Sequence, residues 1–284
     1  MQSEAYIRSI ARSLAVLRAV NRSGSMSMME IANAVHIPYP TACRIVYTLQ
    51  EEGMLERESS RKRYRPTALV QSLSHGFQDH SNLVGLARCE LEGLTNRHFW
   101  PVSLTTRVGL NMVVRDCTHQ LSPMALTNYQ PGAAFPLLEC ASGHVMLAFT
   151  DDEQRHRWLD ATENCDVPPD AMMLRMLRSN EFAEQIREKG YALRGYNQFT
   201  DTPGRTSSLA VPIFHNGEVS GALTLVFFSV AMPLNVAVDR YVGDLQVAAA
   251  AVSASLSDRD MGLGEGPRAV RSKADVQSAN FGIA

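Results

Sequence analysis

Residues 27–65 read SMMEIANAVHIPYPTACRIVYTLQEEGMLERESSRKRYR, and they decide the architecture of the amino-terminal part of the chain. Ser27, followed three residues on by Glu30, is a capping box: each side chain satisfies a backbone N–H at a helix start. Ile31, Ala32 and Val35 supply the apolar stripe of that helix. His36-Ile37-Pro38 then breaks it. Proline cannot continue a helix interior but suits a first turn, so Pro38 and Pro40 mark the entry of a second helix that runs to about Glu52 and stops at Gly53. On this helix Ala42, Ile45, Val46 and Leu49 form the buried face, while Thr41, Arg44 and Thr48 share another. A polar, arginine-bearing face on a short second helix suits a DNA major groove, with Tyr39, Thr41, Arg44 and Thr48 as the predicted contacts.

Working outward, residues 7–21 carry Ile10, Leu14, Leu17 and Val20 at helical spacing, and Ser23-Gly24-Ser25 ends that first helix. Downstream, residues 54–57 and 63–65 are two short strands around the polar tip 58–62. The whole is a winged helix-turn-helix whose wing places Arg61, Lys62 and Arg63 against phosphates or the minor groove. A basic run is ordinarily a solvated turn, and two helices on a turn also serve protein interfaces; the correct spacing of helix pair and wing favours DNA.

Charge divides the chain in the same way. The 284 residues carry a net charge of -2, yet residues 1–68 hold 10 Lys and Arg against 6 Glu, net +4, and the remainder hold 17 against 23, net -6. The basic head is the polyanion binder and the acidic remainder has another task. Five widely separated cysteines form no CxxC pair, which predicts reduced thiols in the cytoplasm without structural zinc or any cofactor. No apolar run is long enough to span a bilayer, so no membrane partner is expected.

A connecting helix is expected over residues 69–82, its face of Leu69, Val70, Leu73 and Phe77 either a dimer contact or packed on its own domain, followed by a helix over 84–96. From Pro101 the apolar period shifts towards two. Strands are predicted over 102–106, 111–117 and 121–127, a loop at Pro131-Gly132 and Pro136, and helices over 140–149, 152–159, 171–177 and 182–189. Residues 191–206 read as irregular. Strands over 209–214 and 219–228 flank Asn216-Gly217, the strongest hairpin signal in the chain, and an Ala-rich helix over 236–256 closes the body. Residues 259–284 have the composition of a disordered tail. The expected fold is a two-domain α/β (α+β) chain: a head at 1–68, a linker at 69–82, and a body at 83–258 with five or six strands and flanking helices.

Three segments, IPYPTACRIVYTLQEEGMLER, PGAAFPLLECASGHVMLAF and KGYALRGYNQFTDTPGRTSSLAVPIFHNGEVSGALTLVF, resemble the IclR family of bacterial transcription regulators in order and spacing, over roughly residues 7–257. FWPVSLTT, MVVRDCTHQLS and FPLLECASG look closest to the branch that regulates phenylpropionate and related aromatic-acid catabolism. The resemblance implies a winged helix-turn-helix, a linker helix and a GAF-like effector domain. It further implies a homodimer or homotetramer on operator double-stranded DNA, and a small organic acid that alters the hold on DNA or RNA polymerase. Thr41 and Arg44 fall on polar positions of the family's recognition helix; Pro40 stands for the usual Ser and Cys43 for the usual His. Ser208 falls where many members have a pocket Cys, Thr224 where many have Ser, and Val226 replaces another Ser. The implied pocket is therefore more apolar and suits an aromatic ring.

A buried carboxylate needs donors beside its apolar walls. Thr206-Ser207-Ser208 before a strand and Ser142 at a helix start offer hydroxyls and free N–H groups, and Tyr129 and Arg205 complete the predicted effector set. Serines at such places also simply cap and turn. Two other readings stand beside this one. Cys140 and His144, four apart on a helix, are spaced as an enzyme's nucleophile and base, although no further catalytic motif accompanies them. The other is a redox sensor acting through the scattered cysteines, against which none has a cationic cluster nearby to lower its pKa.

Overall fold

Ser27 caps α2 (Met28–Ala34) in both directions: its Oγ accepts the Glu30 N–H at 3.3 Å, and the Glu30 carboxylate accepts the Ser27 N–H at 2.7 Å. This is a computed structural model, and it describes residues 7–75, 82–124, 129–163, 169–196, 198 and 204–260. After α2, His36 adopts a left-handed φ of 52° that turns the chain, and α3 (Tyr39–Glu51) begins behind Pro38. Ala42, Ile45 and Val46 of α3 are buried, as are Ile31 of α2 and Val16, Leu17 and Val20 of α1 (Arg8–Ser23). The wing strands β2 (Leu55–Arg57) and β3 (Arg63–Pro66) gain a third partner, β1 (Met26–Ser27), in the order β1-β3-β2. Two residues carry no alternation, so β1 had no sequence signal.

The stretch read as one connecting helix instead opens as a 3-10 turn over Ala68–Gln71. There the Thr67 hydroxyl donates to the Gly53 carbonyl at 2.5 Å and accepts the Leu69 N–H. It continues as α4 (Ser72–His75), and the rest of the expected helix lies outside the described residues.

The body is a six-stranded antiparallel sheet in the order β6-β5-β4-β9-β8-β7. Its strands are β4 (Val102–Val108), β5 (Asn111–Cys117), β6 (Ala134–Pro136), β7 (Ala192–Arg194), β8 (Thr206–His215) and β9 (Glu218–Phe228). Asn216 (φ 52°) and Gly217 (φ 81°) make the tight turn joining β8 to β9, as the Asn-Gly signal predicts. Alternation sorts the side chains. Val102, Leu104, Leu209, Val211, Ile213, Leu223, Leu225 and Phe227 pack on α5 (Leu83–His98) and α10 (Leu234–Asp260). The other face carries Ser103, Thr105, Ser208, Ala210, Ala222 and Thr224 beneath α6 (Ala141–Phe149). With both faces covered, β8 and β9 are buried along most of their length. α7 (Asp152–Glu163), α8 (Ala171–Arg178) and α9 (Asn180–Lys189) follow α6, and α9 starts where the Ser179 hydroxyl accepts the Phe182 N–H.

Three expectations for the body are corrected. Residues 121–124 of the predicted third strand are turn and bend, because the Leu121 and Ser122 N–H groups fold back onto the Thr118 carbonyl; 125–127 lie outside the described residues. The strand pairing with β5 is β6, in the segment read as a loop, where Pro136 is tolerated because β6 is an edge. The segment read as irregular contains β7, a three-residue edge too short to show a period. The predicted tail lies outside the described residues except for its first two positions, which extend α10.

Candidate functional site

In the head, the outer face of α3 presents Tyr39, Arg44 and Thr48 to solvent, with Thr41 half-buried at its side. The Thr48 hydroxyl donates to the Arg44 carbonyl at 3.0 Å, and the Arg44 guanidinium has no partner among the described residues. Cys43, one turn along α3, raises the Tyr39 pKa. On the wing, Arg61 and Lys62 are exposed and likewise unpaired among the described residues. Arg63 is committed elsewhere. Its guanidinium meets Glu30 at 2.8 Å, the Ser25 carbonyl at 2.9 Å and the Ser25 hydroxyl at 3.2 Å, stitching the wing to the start of α2. Three consecutive basic residues look alike in sequence; only the paired strand shows which one turns inward.

In the body, the structure brings together Tyr129, Ser142, Ser208 and Thr224, all buried, on the α6 side of the sheet. Ser208 lies opposite Val226, two register positions from the Ala210–Thr224 pair and so on the same face of the sheet. The Ser142 hydroxyl sits 3.4 Å from the Cys140 thiol, and the Thr224 hydroxyl has no hydrogen-bond partner among the described residues. Tyr129 stacks on Phe135 at 5.1 Å and meets His119 edge-on at 5.4 Å. Burial pushes the Tyr129 phenol up to about 12. Thr206 is near enough to oppose that shift, yet no hydrogen bond of normal geometry closes on the Tyr129 hydroxyl. Both ring nitrogens of His119 are also buried without partners among the described residues, and burial lowers its pKa to about 4. Ser207 and Arg205 are placed elsewhere. Ser207 alternates to the opposite face and bonds the Ser229 hydroxyl at 2.9 Å, and Arg205 is exposed ahead of β8.

Cys140 and His144 are not joined by a hydrogen bond among the described residues. The His144 Nε2–H donates to the Leu138 carbonyl at 2.8 Å and its ring packs against Phe182; burial lowers its pKa to about 4 and raises that of Cys140. Such a buried neutral thiol has little nucleophile character. Sequence reasoning missed His119, Glu139 and Arg194. β7 sets Arg194 opposite Ser208, and its Nη2 reaches the Glu139 carboxylate at 2.5 Å. The length of the run read as irregular hid that strand.

Among the described residues no helix is long and apolar enough to cross a membrane, and no group of three His, Cys, Asp or Glu is placed to hold a metal. Residues 9–59 match the IclR helix-turn-helix domain, and residues 75–254 match the C-terminal domain of the bacterial transcriptional regulator IclR. The chain is similar to SauR of Cupriavidus necator, named a probable transcriptional regulator, with 24% identity over 239 residues, covering 84% of this chain and 91% of that one. Its fold is similar to an IclR homolog of Microbacterium hydrocarbonoxydans complexed with 4-hydroxybenzoate (TM-score 0.62, 22% identity, 87% of this chain and 98% of that one). The Thermotoga maritima IclR is comparable (TM-score 0.59, 22% identity, 88% and 99%). With both of its domains matched, one for DNA and one for a ligand, the chain belongs to the IclR family of bacterial transcriptional regulators.

Proposed function

We propose that this regulator reads operator double-stranded DNA through Tyr39, Thr41, Arg44 and Thr48 of α3 and through Arg61 and Lys62 of the wing, under the control of a small aromatic carboxylic acid held in the body. The observation that carries the effector half is the group of buried hydroxyls at Tyr129, Ser142, Ser208 and Thr224 among apolar walls, two of them without partners among the described residues. Unpaired buried polar atoms are costly, so a ligand that satisfies them binds with that cost relieved. Phe135, Met112, Val114 and Val226 in the same cluster give the apolar wall an aromatic ring needs. The Microbacterium relative complexed with 4-hydroxybenzoate is in keeping with a ring-bearing acid. Ser207, bonded to Ser229 on the opposite face of the sheet, is left out of the ligand contacts, as is the exposed Arg205.

The regulator works in the cytoplasm as a homodimer or a pair of dimers. One short helix reads only a half-site, so two heads are needed for useful specificity. Ile7, Ile10 and Leu14 along α1 and Leu69 and Leu73 beyond the wing are all exposed apolar side chains, available to a second copy. Occupancy of the body shifts the heads' hold on DNA or the contact with RNA polymerase. A thermal-shift screen with hydroxybenzoates and hydroxyphenylpropionates tests this: a bound acid raises the melting temperature. Silence across the panel sinks the aromatic-acid reading.

A further inference from the structure

A buried carboxylate needs more than hydroxyls. Hydroxyl dipoles alone leave its charge uncompensated, whereas a guanidinium supplies both charge and two parallel N–H donors. Arg194 stands where such a partner would have to be. β7 pairs it directly opposite Ser208, and residues facing each other across a strand pair project from the same side of the sheet. That side is the one carrying Ser208, Thr224 and α6. The field of Arg194 also reaches Cys140 and His144, where it opposes the rise that burial causes at the thiol and adds a little to the fall that burial causes at the imidazole.

The guanidinium is only partly used. One oxygen of Glu139 takes Nη2 at 2.5 Å, while Nε is buried with no partner among the described residues. Side-chain exposure is 27% for Arg194 and 18% for Glu139, so neither charge is freely solvated. Glu139 ends the 3-10 turn Leu137–Glu139, which leads through Cys140 into α6. Gly143 on the first turn of α6 is pressed so tightly on that 3-10 turn that an added Cβ would lie 1.8 Å from the Leu137 carbonyl oxygen. Turn and helix therefore move together.

Resting on the reading that the body senses a small organic acid, we propose that Arg194 anchors the effector's carboxylate beside Ser208, and that the effector takes this guanidinium from Glu139. Two carboxylates cannot both remain charged around one guanidinium in a poorly solvated place without strong mutual repulsion. Ligand entry thus releases Glu139 from Arg194, uncouples the Leu137–Glu139 turn from β7, and passes the binding event to α6. The exchange makes and breaks no covalent bond; one carboxylate replaces another at the guanidinium. It selects against neutral analogues, because only an acid can displace Glu139.

The test is calorimetric titration of the full chain with 4-hydroxybenzoate, 3-(4-hydroxyphenyl)propionate and the uncharged 4-hydroxybenzamide. Wild type should prefer acid over amide by at least about tenfold, one charge-assisted bond's worth. Arg194→Met should lose that preference, and Arg194→Lys, which keeps the charge without the fork, should fall between. Glu139→Gln should tighten acid binding several-fold by removing the competing charge. The double variant R194M/E139Q, which leaves no unpaired carboxylate to unsettle the fold, should behave like R194M. Acid binding that survives in both Arg194→Met and the double variant overturns the role of Arg194 while leaving the effector reading in place. Weaker acid binding in Glu139→Gln overturns the exchange. A wild type that binds neither acid overturns the organic-acid reading, and the anchor with it.

Discussion

The Arg63 guanidinium closes on the Glu30 carboxylate at 2.8 Å, and the same carboxylate accepts the Ser27 N–H, so one acid both caps α2 and holds the wing. Glu30 lies below its usual pKa because the Ser27 N–H, and then Arg63, hydrogen-bond its charged form. A depressed carboxylate contributes stability that is full above the unfolded value and is lost as pH falls through the folded one. Glu30→Gln should therefore lower the melting temperature of the head at neutral pH and make far less difference at a pH well below the usual carboxylate range. An equal deficit at both pH values would reject the linkage.

The wing residues should separate in DNA binding. Arg61→Ala and Lys62→Ala should each weaken binding to every sequence and reduce the salt slope by about one ion, with stability unchanged. Arg63→Ala should cost stability as well, since it breaks the stitch to Ser25 and Glu30. Filter binding at several salt concentrations, beside thermal melts, distinguishes them.

Arg44, solvent-facing on α3 and without a partner among the described residues, should discriminate bases. Arg44→Ala is expected to cost roughly 1 to 3 kcal/mol on the operator and far less on random DNA. Equal losses on both would make it a phosphate contact.

Ser208→Leu should weaken effector binding with operator affinity intact, because its side chain faces α6 and is remote in sequence from the head. Tyr129→Phe removes a buried hydroxyl that lacks a partner, so the melting temperature should hold or rise while effector affinity falls. Calorimetry on both variants decides whether these groups touch the ligand.

Gly143→Ala should destabilise the body by at least about 1 to 3 kcal/mol, because the intruding methyl meets backbone rather than a movable side chain. A melting temperature within a degree of wild type would show that the 3-10 turn yields.

Local chemistry made the head readable: Ser27 with Glu30, Pro38 with Pro40 and the stop at Gly53 act within a few residues, and the observed helices follow them. Asn216-Gly217 was equally legible for the same reason. The body's sheet order was not, since β9 pairs with β4 across more than a hundred residues, and β6 and β7 are three residues each.

By itself the sequence determined the helix-turn-helix with its wing, the polar face of α3, the basic head on an acidic body and the hydroxyl-bearing stretches around Ser142 and Ser208. Each depends on spacing, capping or charge within a short window. Tertiary structure alone decided that Arg63 turns inward, that Ser207 and Ser208 part to opposite faces, and that Arg194 meets Glu139 across 55 residues of chain. The physical reason is that partner choice for a charged or hydroxylated side chain is set by strand pairing and burial, and neither is written in the local pattern.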